Sequence, residues 1–397
     1  MEFKLKSIHI RNFKSLKDTK IELSDFNVLV GVNGSGKSNI VDVFRFLRHI
    51  NQEGSISPFI EYGGYKSLVW KKKEELPITF ELKFENKKKE TLSYELAISG
   101  FGGNLNLEKE SIISTDFRII NNGKDLVFEY KGRKISKEIK GIKKRLFENK
   151  LLFSSLGMWV PWVFDLKGKD REAMMDMIVS ISECIFTTTH NFIPLNMKSP
   201  AKFESSERKF FRGPQEINQL AYDGSNLQMV LYELFSKNRS EWPKEIMNRL
   251  KILFPGIESM ASVPTPDGRV MLEVVENGTN FIPKSLSDGF FKIMAVLALS
   301  FGRFGSDLLV IDELENSIHP EAIEILIDAL ESSGKQVIIT THSPVVLNMC
   351  KVENILFVKK EVDETKVSRV KNARKLKKDL EDTGVSIGEG WLYGALE

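Results

Sequence analysis

The octapeptide GVNGSGKS at residues 31–38 fits the pattern G-x-x-x-x-G-K-[ST] and leaves few folds open to the chain. It follows a short apolar strand at residues 26–30 and precedes a helical apolar pattern that begins at Ile40. In such a strand–loop–helix unit, glycines let backbone N–H groups converge on phosphate oxygens, and the helix adds the positive end of its dipole. We therefore predict an ATP site, with Lys37 on the β- and γ-phosphates and the Ser38 hydroxyl on Mg²⁺. The predicted phosphate-binding residues are Gly31, Asn33, Gly34, Ser35, Gly36, Lys37, Ser38 and Asn39.

A second apolar strand, at residues 308–311, ends in the two acids Asp312 and Glu313. Parallel sheets bind ligands at the carboxyl ends of their strands. We therefore predict that Asp312 holds Mg²⁺ and that Glu313 acts as the general base that polarises the attacking water. The alternative is a buried strand whose acids only reach solvent at its exposed end.

The tetrapeptide LSDG at residues 286–289 opens an apolar helix at residues 290–301 and ends 23 residues before Asp312. A serine at a helix start is usually an N-cap. The position, however, resembles that of the LSxG signature of ABC-type ATPases. This resemblance implies that Ser287 and Gly289 contact the γ-phosphate held by the other protomer of a dimer.

His342 follows a third apolar strand, at residues 337–340. A lone histidine near a strand end is more often structural, but this one occupies the place of the ABC switch histidine. The resemblance implies that His342 senses the γ-phosphate and orients the water, so Glu313, His342 and Lys37 form the predicted catalytic set. Residues 316–320 match the D-loop, which lines the dimer interface in that family.

Hydrophobic periodicity organises the rest of the chain. Alternation with period two over residues 77–135 predicts an antiparallel meander, and the last third alternates apolar strands with helices, which predicts a parallel sheet covered on both faces. We expect an α/β fold of the ABC-type P-loop class with an antiparallel β subdomain and a helical insert. The expected segments are 1–140 with the P-loop and meander, 141–255 as a mostly helical insert, and 256–397 with signature, second acidic strand and His342.

Two local expectations concern polar stretches. Residues 11–15 predict a turn between two strands, and residues 366–378 form a basic stretch compatible with a helix. The lysine runs at 71–73 and 87–89 indicate solvated strand ends, with a patch for phosphate backbones as the alternative.

Composition bears on the binding partners and the cellular compartment of the protein. A formal charge of +3 on 397 residues neither requires nor excludes nucleic acid. Two distant cysteines, Cys184 and Cys350, favour a reducing compartment over a disulfide framework. Because the sequence contains neither a signal peptide nor 18 uninterrupted apolar residues, we expect a cytoplasmic protein without a membrane partner.

These motifs together resemble known ATPases. IHIRNFKS at residues 8–15, followed by the P-loop, resembles the N-terminus of RecF- and SMC-like ATPases. YDGSNL at 222–227 and DELENSIHP at 312–320 are similar to compact bacterial ATPases of the AAA family grouped with the OLD (overcoming lysogenisation defect) family. The resemblance implies a homodimer whose two protomers are held together by two ATP molecules. A higher oligomer is also compatible with it. Members with an arginine after the signature would carry it at Lys292, so the sequence departs from them there.

The end of the chain carries a second departure from the OLD family. OLD nucleases carry a C-terminal Toprim domain of metal-binding acids, whereas only 55 residues follow His342 here, so we expect no such domain. The resemblance then implies a separately encoded effector, as in two-gene anti-phage defence systems. One alternative is a RecF/SMC-type repair ATPase that binds DNA directly, which predicts a basic groove and salt-sensitive binding. The other is a scaffold that binds ATP without hydrolysis, in which Glu313→Gln changes nothing.

Overall fold

A computed structural model describes residues 3–53, 62–101, 104–122, 126–134, 168–185, 187, 189–202, 219–239, 241–302, 304, 307–370 and 372–394. The chain forms two compact units that interleave along the sequence. The first unit comprises Met1–Asp25, Gly31–Thr187 and Leu356–Arg369, and the second comprises Phe26–Val30, Thr188–Ile355 and Val370–Glu397. The division into three consecutive segments stays a prediction.

The strands in chain order are β1 Phe3–Phe13, β2 Leu16–Glu22, β3 Phe26–Val30, β4 Ile78–Asn86, β5 Thr91–Phe101, β6 Asn104–Ser114, β7 Phe117–Asn121, β8 Leu126–Tyr130, β9 Arg133–Lys134, β10 Thr189–His190, β11 Ala201–Lys202, β12 Ile257–Pro264, β13 Arg269–Glu276, β14 Thr279–Phe281, β15 Leu308–Ile311, β16 Gln336–Thr341, β17 Ile355–Glu361 and β18 Glu364–Arg369. The helices are α1 Lys37–Glu53, α2 Tyr65–Leu68, α3 Gly168–Ile185, α4 Pro194–Met197, α5 Leu227–Lys237, α6 Lys244–Leu253, α7 Asp288–Phe301, α8 Pro320–Ser332, α9 Pro344–Asn348, α10 Ala373–Thr383 and α11 Ile387–Leu392.

The first unit is built on an antiparallel sheet in the order β2-β1-β4-β5-β6-β7-β8-β9. Alternate side chains of β4 point into the core, so its burial pattern follows the period-two alternation of its sequence. Helix α1 joins this sheet through an aromatic cluster in which the rings of Phe13, Phe46 and Phe80 lie 5.5–5.8 Å apart. The hairpin of β17 and β18 lies against β2, where the Thr365 N–H donates to the Ser15 carbonyl over 2.8 Å.

The second unit holds four parallel strands in the order β10-β15-β16-β3. Every residue of β3, β15 and β16 is buried, as expected for parallel strands covered on both faces. Helix α7 is buried from Phe290 through Ser300, as expected for a helix that is apolar all round. A small antiparallel sheet of β11, β12, β13 and β14 packs with α5.

Most elements predicted from periodicity are confirmed. The meander corresponds to β4 to β9, and the parallel strands, the helix after LSDG and the strand–loop–helix around the P-loop are present. The turn predicted at residues 11–15 was too wide, because β1 runs to Phe13 and a further strand, β2, follows at once. In the helix-compatible stretch 366–378, residues 366–369 belong to β18, and the helix begins only at Ala373. The predicted helical insert falls partly outside the described residues, and its described part includes α3, α5 and α6.

No helix within the described ranges combines the length and apolar character needed to cross a bilayer.

Candidate active site

The P-loop of the first unit leads into α1 with the backbone that its glycines allow. Gly34 and Gly36 have φ values of 81° and 105°, a left-handed region that side chains disfavour. The Lys37 ammonium is buried and donates to the carbonyls of Gly31 over 2.5 Å and Val32 over 3.2 Å. The first turn of α1 contains no acidic residue, so nothing there offsets the positive end of its dipole. The loop therefore suits an anionic ligand.

A hydroxyl network that sequence analysis did not find supports this loop. The Thr365 hydroxyl, fully buried, donates to the Ser35 carbonyl over 3.0 Å and lies 2.6 Å from the Ser15 hydroxyl. The Asn39 amide donates to Ser15 over 2.6 Å, so this predicted phosphate ligand contacts the β1–β2 turn. A Cβ at Gly36 would lie 2.0 Å from the Thr365 hydroxyl, which is why the position requires glycine. Asn33 and Ser38 are exposed.

The parallel strands of the second unit align several predicted residues at one edge. Residue Ile311 of β15 pairs with Ile339 of β16, and Thr341 pairs with Val30 of β3. Because the strands are parallel, their carboxyl ends meet at this edge. Asp312 and Glu313 follow β15 there, and His342 follows β16.

Thr340 connects the two acids. Its hydroxyl donates to Asp312 Oδ1 over 2.5 Å and accepts from the Glu313 N–H over 2.9 Å. Asp312 is buried and its own N–H donates to the His190 carbonyl over 2.8 Å. A buried carboxylate is stable only when such donors or a cation satisfy it, so Asp312 is a suitable cation ligand.

Glu313 adopts an unusual backbone conformation. Its φ is 50°, the left-handed region, which turns the chain sharply at the end of β15. The Lys292 ammonium donates to the Glu313 carbonyl over 2.8 Å, and the Asn316 amide donates to its Oε2 over 2.5 Å. The Glu313 side chain is 32% exposed, so a general base here reaches solvent while its backbone is fixed.

Lys292 is buried within α7, at the position where the resemblance expected an arginine. Burial lowers the pKa of Lys292 to about 8, while the carboxylates of Glu315, Glu313 and Asp312 oppose that shift. In this chain the residue thus contacts the acidic turn of its own unit.

Glu315 was also missed by sequence analysis. Its Oε1 accepts from the Thr341 hydroxyl and from the His342 N–H, each over 2.9 Å, and lies 3.2 Å from His342 Nδ1. Glu313 Oε1 lies farther from the same nitrogen, at 3.9 Å. The only sequence signal for this arrangement was the acid-acid-x-acid spacing after the strand.

The signature and D-loop segments meet within the second unit. Ser287 caps α7 by accepting from the Phe290 N–H over 3.1 Å, as its helix-start position predicts. A Cβ at Gly289 would lie 2.7 Å from the Ser317 carbonyl, so the glycine permits close approach of the D-loop. His319 in the same segment is 74% exposed.

Two family models match the chain. The family described as "AAA ATPase domain" matches residues 3–156, and the family described as "AAA domain, putative AbiEii toxin, Type IV TA system" matches residues 186–348.

Several known proteins are similar over different lengths. Old nuclease of Escherichia phage P2 is 24% identical over 398 residues, covering 92% of this chain and 61% of Old nuclease, so the chain spans about three fifths of that relative. Chromosome partition protein Smc of Methanococcus voltae is 48% identical over 44 residues, which is 11% of this chain and 4% of that protein. A solved Smc head domain with an extended coiled coil, bound to the C-terminal domain of ScpA and derived from Pyrococcus furiosus, covers 96% of this chain and 100% of its own. Its TM-score is 0.50 at 16% identity, a likeness of fold.

Proposed function

We propose that this chain, which matches two AAA family models over parts of its length and is similar in sequence to Old nuclease and in fold to an Smc head domain, hydrolyses ATP as a nucleotide-sandwich homodimer. Hydrolysis then loosens the dimer, so the output is a conformational switch.

The assigned roles follow the chemistry of each side chain. Lys37 and the P-loop backbone bind the phosphates, and Ser287 and Gly289 act on the nucleotide of the partner protomer. Ser38, with its exposed hydroxyl, and Asp312, with its buried carboxylate, are oxygen donors of the kind that Mg²⁺ prefers. When bound, Mg²⁺ neutralises charge on the phosphates.

The observation that carries the proposal is the constraint on Glu313. Three residues hold it, through its N–H, its carbonyl and its Oε2, while its carboxylate stays accessible. General-base catalysis requires a carboxylate placed in this way, because the base must accept a proton from a water at a fixed position. A solvent-exposed acid at a strand end with no role would not need such support.

Turnover of Mg-ATP by wild type and Glu313→Gln tests hydrolysis. The amide keeps the side-chain shape but cannot accept a proton, so we expect turnover to fall by about 100-fold or more. Glu324→Gln on the exposed face of α8 is the matched control and should keep wild-type turnover. Equal, measurable turnover of the Glu313 variant and wild type would exclude Glu313 as the general base. A wild type without turnover would show that ATP is only a structural ligand.

Light scattering tests the dimer. With saturating Mg-ATP, Glu313→Gln should have twice the mass of one chain, because ATP binds but persists. Adding Lys37→Ala to that variant should restore single chains. Single chains of Glu313→Gln under the same conditions would contradict the sandwich dimer.

We further propose that the dimer controls a separately encoded effector in an anti-phage defence system. Support comes from the match to the family described with a type IV toxin–antitoxin system and from the similarity to Old nuclease of a phage. Phage plaque counts should fall when the chain is expressed with the product of its neighbouring gene, and Lys37→Ala should abolish that protection. Full protection by this chain alone would refute a separate effector.

A further inference from the structure

The turn after β15 places a third acid, Glu315, under the predicted switch histidine. Its side chain is only 10% exposed. Its Oε1 receives hydrogen bonds from the Thr341 hydroxyl and the His342 N–H, so one oxygen joins the turn to the end of β16. This contact fixes the backbone from which the imidazole projects.

The same oxygen is the group available to the imidazole. His342 Nδ1 is buried, and no residue within the described ranges forms a hydrogen bond with it in the present ring orientation. Glu315 Oε1 lies 3.2 Å away, within reach after a small ring rotation, whereas Glu313 Oε1 lies 3.9 Å away. An ionised carboxylate only accepts hydrogen bonds, so the Nδ1 side of this pair must carry the proton. Nε2 then keeps its lone pair.

A cation compensates the buried acid. Glu315 Oε2 is buried without a hydrogen-bond partner among the described residues, which would be costly for an isolated charge. Lys292 offsets part of this cost, since the attraction of the Glu315 carboxylate raises the pKa of Lys292 against the effect of burial. Lys292 also donates to the Glu313 carbonyl. Glu315 therefore belongs to a charge cluster that includes the proposed base.

We infer that Glu315 is a positioning residue for His342, holding its imidazole as the Nδ1–H tautomer so that Nε2 is the nitrogen free to act on the nucleotide. This inference rests on the proposed ATPase function. A carboxylate that orients a histidine through Nδ1–H is a general device for fixing the tautomer of a catalytic or metal-bound imidazole.

Nitrogen NMR of the full chain with ¹⁵N-labelled histidine tests the tautomer directly. The chain has five histidines, and His342→Gln identifies the signals of His342. In wild type we expect the Nδ1–H pattern. Glu315→Gln keeps a neutral Oε1 acceptor for Thr341 and for the His342 N–H but removes the negative charge that strengthens the attraction for a proton on Nδ1. Its His342 signals should therefore move from the Nδ1–H pattern toward a mixture of tautomers.

Kinetics of the same variants test the consequence. We expect Glu315→Gln to lower kcat for ATP by about 10-fold with KM changed by less than about 2-fold, because the loss concerns orientation and not binding. Glu315→Asp should restore part of the activity. The control is Glu321→Gln, which alters an exposed acid 3.9 Å from His319 Nδ1 and should change neither the His342 signals nor kcat.

The outcomes separate the two proposals. Unchanged His342 signals and unchanged kcat in Glu315→Gln would overturn the positioning role. If Glu315→Gln changes the His342 tautomer but wild type shows no ATP turnover, the contact is upheld and the proposed function is refuted. Circular dichroism establishes that each compared variant is folded.

Discussion

The ammonium of Lys292 donates a hydrogen bond to the backbone carbonyl of Glu313 over 2.8 Å, which ties the helix after the signature to the proposed base. Lys292 lies three residues beyond Gly289. Through its hydrogen bond, a movement of the signature segment would therefore also move the backbone of Glu313.

Stability should depend on pH through Lys292. Burial lowers its pKa to about 8 from the ordinary 10.5. Between these values the unfolded chain keeps a proton that the folded protein has released, so the free energy of unfolding rises with pH across this window. Below it both states are protonated and the folded state bears the full penalty of the buried charge.

Lys292→Met should remove this pH dependence. When the pH is lowered from 10.5 to near 7, the free energy of unfolding of wild type should fall relative to that of Lys292→Met by up to about 3 kcal/mol. Urea unfolding at several pH values measures the shift, and Lys284→Met, which alters an exposed lysine, is the control. Parallel stability curves for wild type and Lys292→Met would contradict the expectation.

Thr340→Val should impair both folding and turnover. The substitution keeps the shape of a buried side chain but removes the hydroxyl that contacts Asp312 and the Glu313 N–H. Loss of two hydrogen bonds at buried polar groups should cost about 2 kcal/mol of unfolding free energy, and turnover should fall by about 10-fold. Thr340→Ser keeps the hydroxyl and should retain most of both. Turnover of the valine variant within twofold of wild type would exclude this role.

Thr365→Val should weaken ATP binding. Its hydroxyl supports the P-loop through the Ser35 carbonyl and contacts Ser15, so the variant leaves the loop less constrained. We expect the Kd of a fluorescent ATP analogue to rise by about 5-fold, which is about 1 kcal/mol. Thr365→Ser is the matched control. Identical affinities for wild type and the valine variant would show that the loop needs no support from β18.

Gly289→Ala should block dimer formation more than nucleotide binding. The added Cβ would meet the Ser317 carbonyl at 2.7 Å and push the D-loop away. In the Glu313→Gln background we expect about 10-fold weaker ATP-dependent dimerisation by light scattering, with the ATP affinity of the single chain changed by less than about 2-fold. Asp288→Ala alters an adjacent, exposed side chain and serves as control. Unaltered dimerisation of the alanine variant would show that the dimer does not require a glycine at position 289.

The parts of the fold that sequence analysis predicted correctly were those with local signals. The glycine spacing around Lys37 and the apolar run before Asp312 are each complete within one short stretch of sequence, so no distant residue is needed to find them. The antiparallel meander was found for the same reason, because alternate burial of Phe80, Leu82 and Phe84 needs only the strand itself.

The missed parts depend on tertiary contacts. Thr365 contacts Ser15 across 350 positions, and nothing in its own strand marks it. The charges of residues 366–369 also favoured a helix there, yet pairing with β17 made this segment a strand. Glu315 appeared to be one acid among three, since its burial beside His342 exists only once β15 and β16 pair.

The left-handed backbone conformation of Glu313 affects which variants of this protein a stability screen would select. A left-handed conformation costs a residue with a Cβ about 1 kcal/mol or more, and glycine adopts it without that cost. Glu313→Gly should therefore relax the end of β15 while abolishing proton transfer. Screens for thermal resistance alone should enrich inactive molecules altered at this codon, so any directed evolution of the protein needs catalytic turnover as a simultaneous criterion.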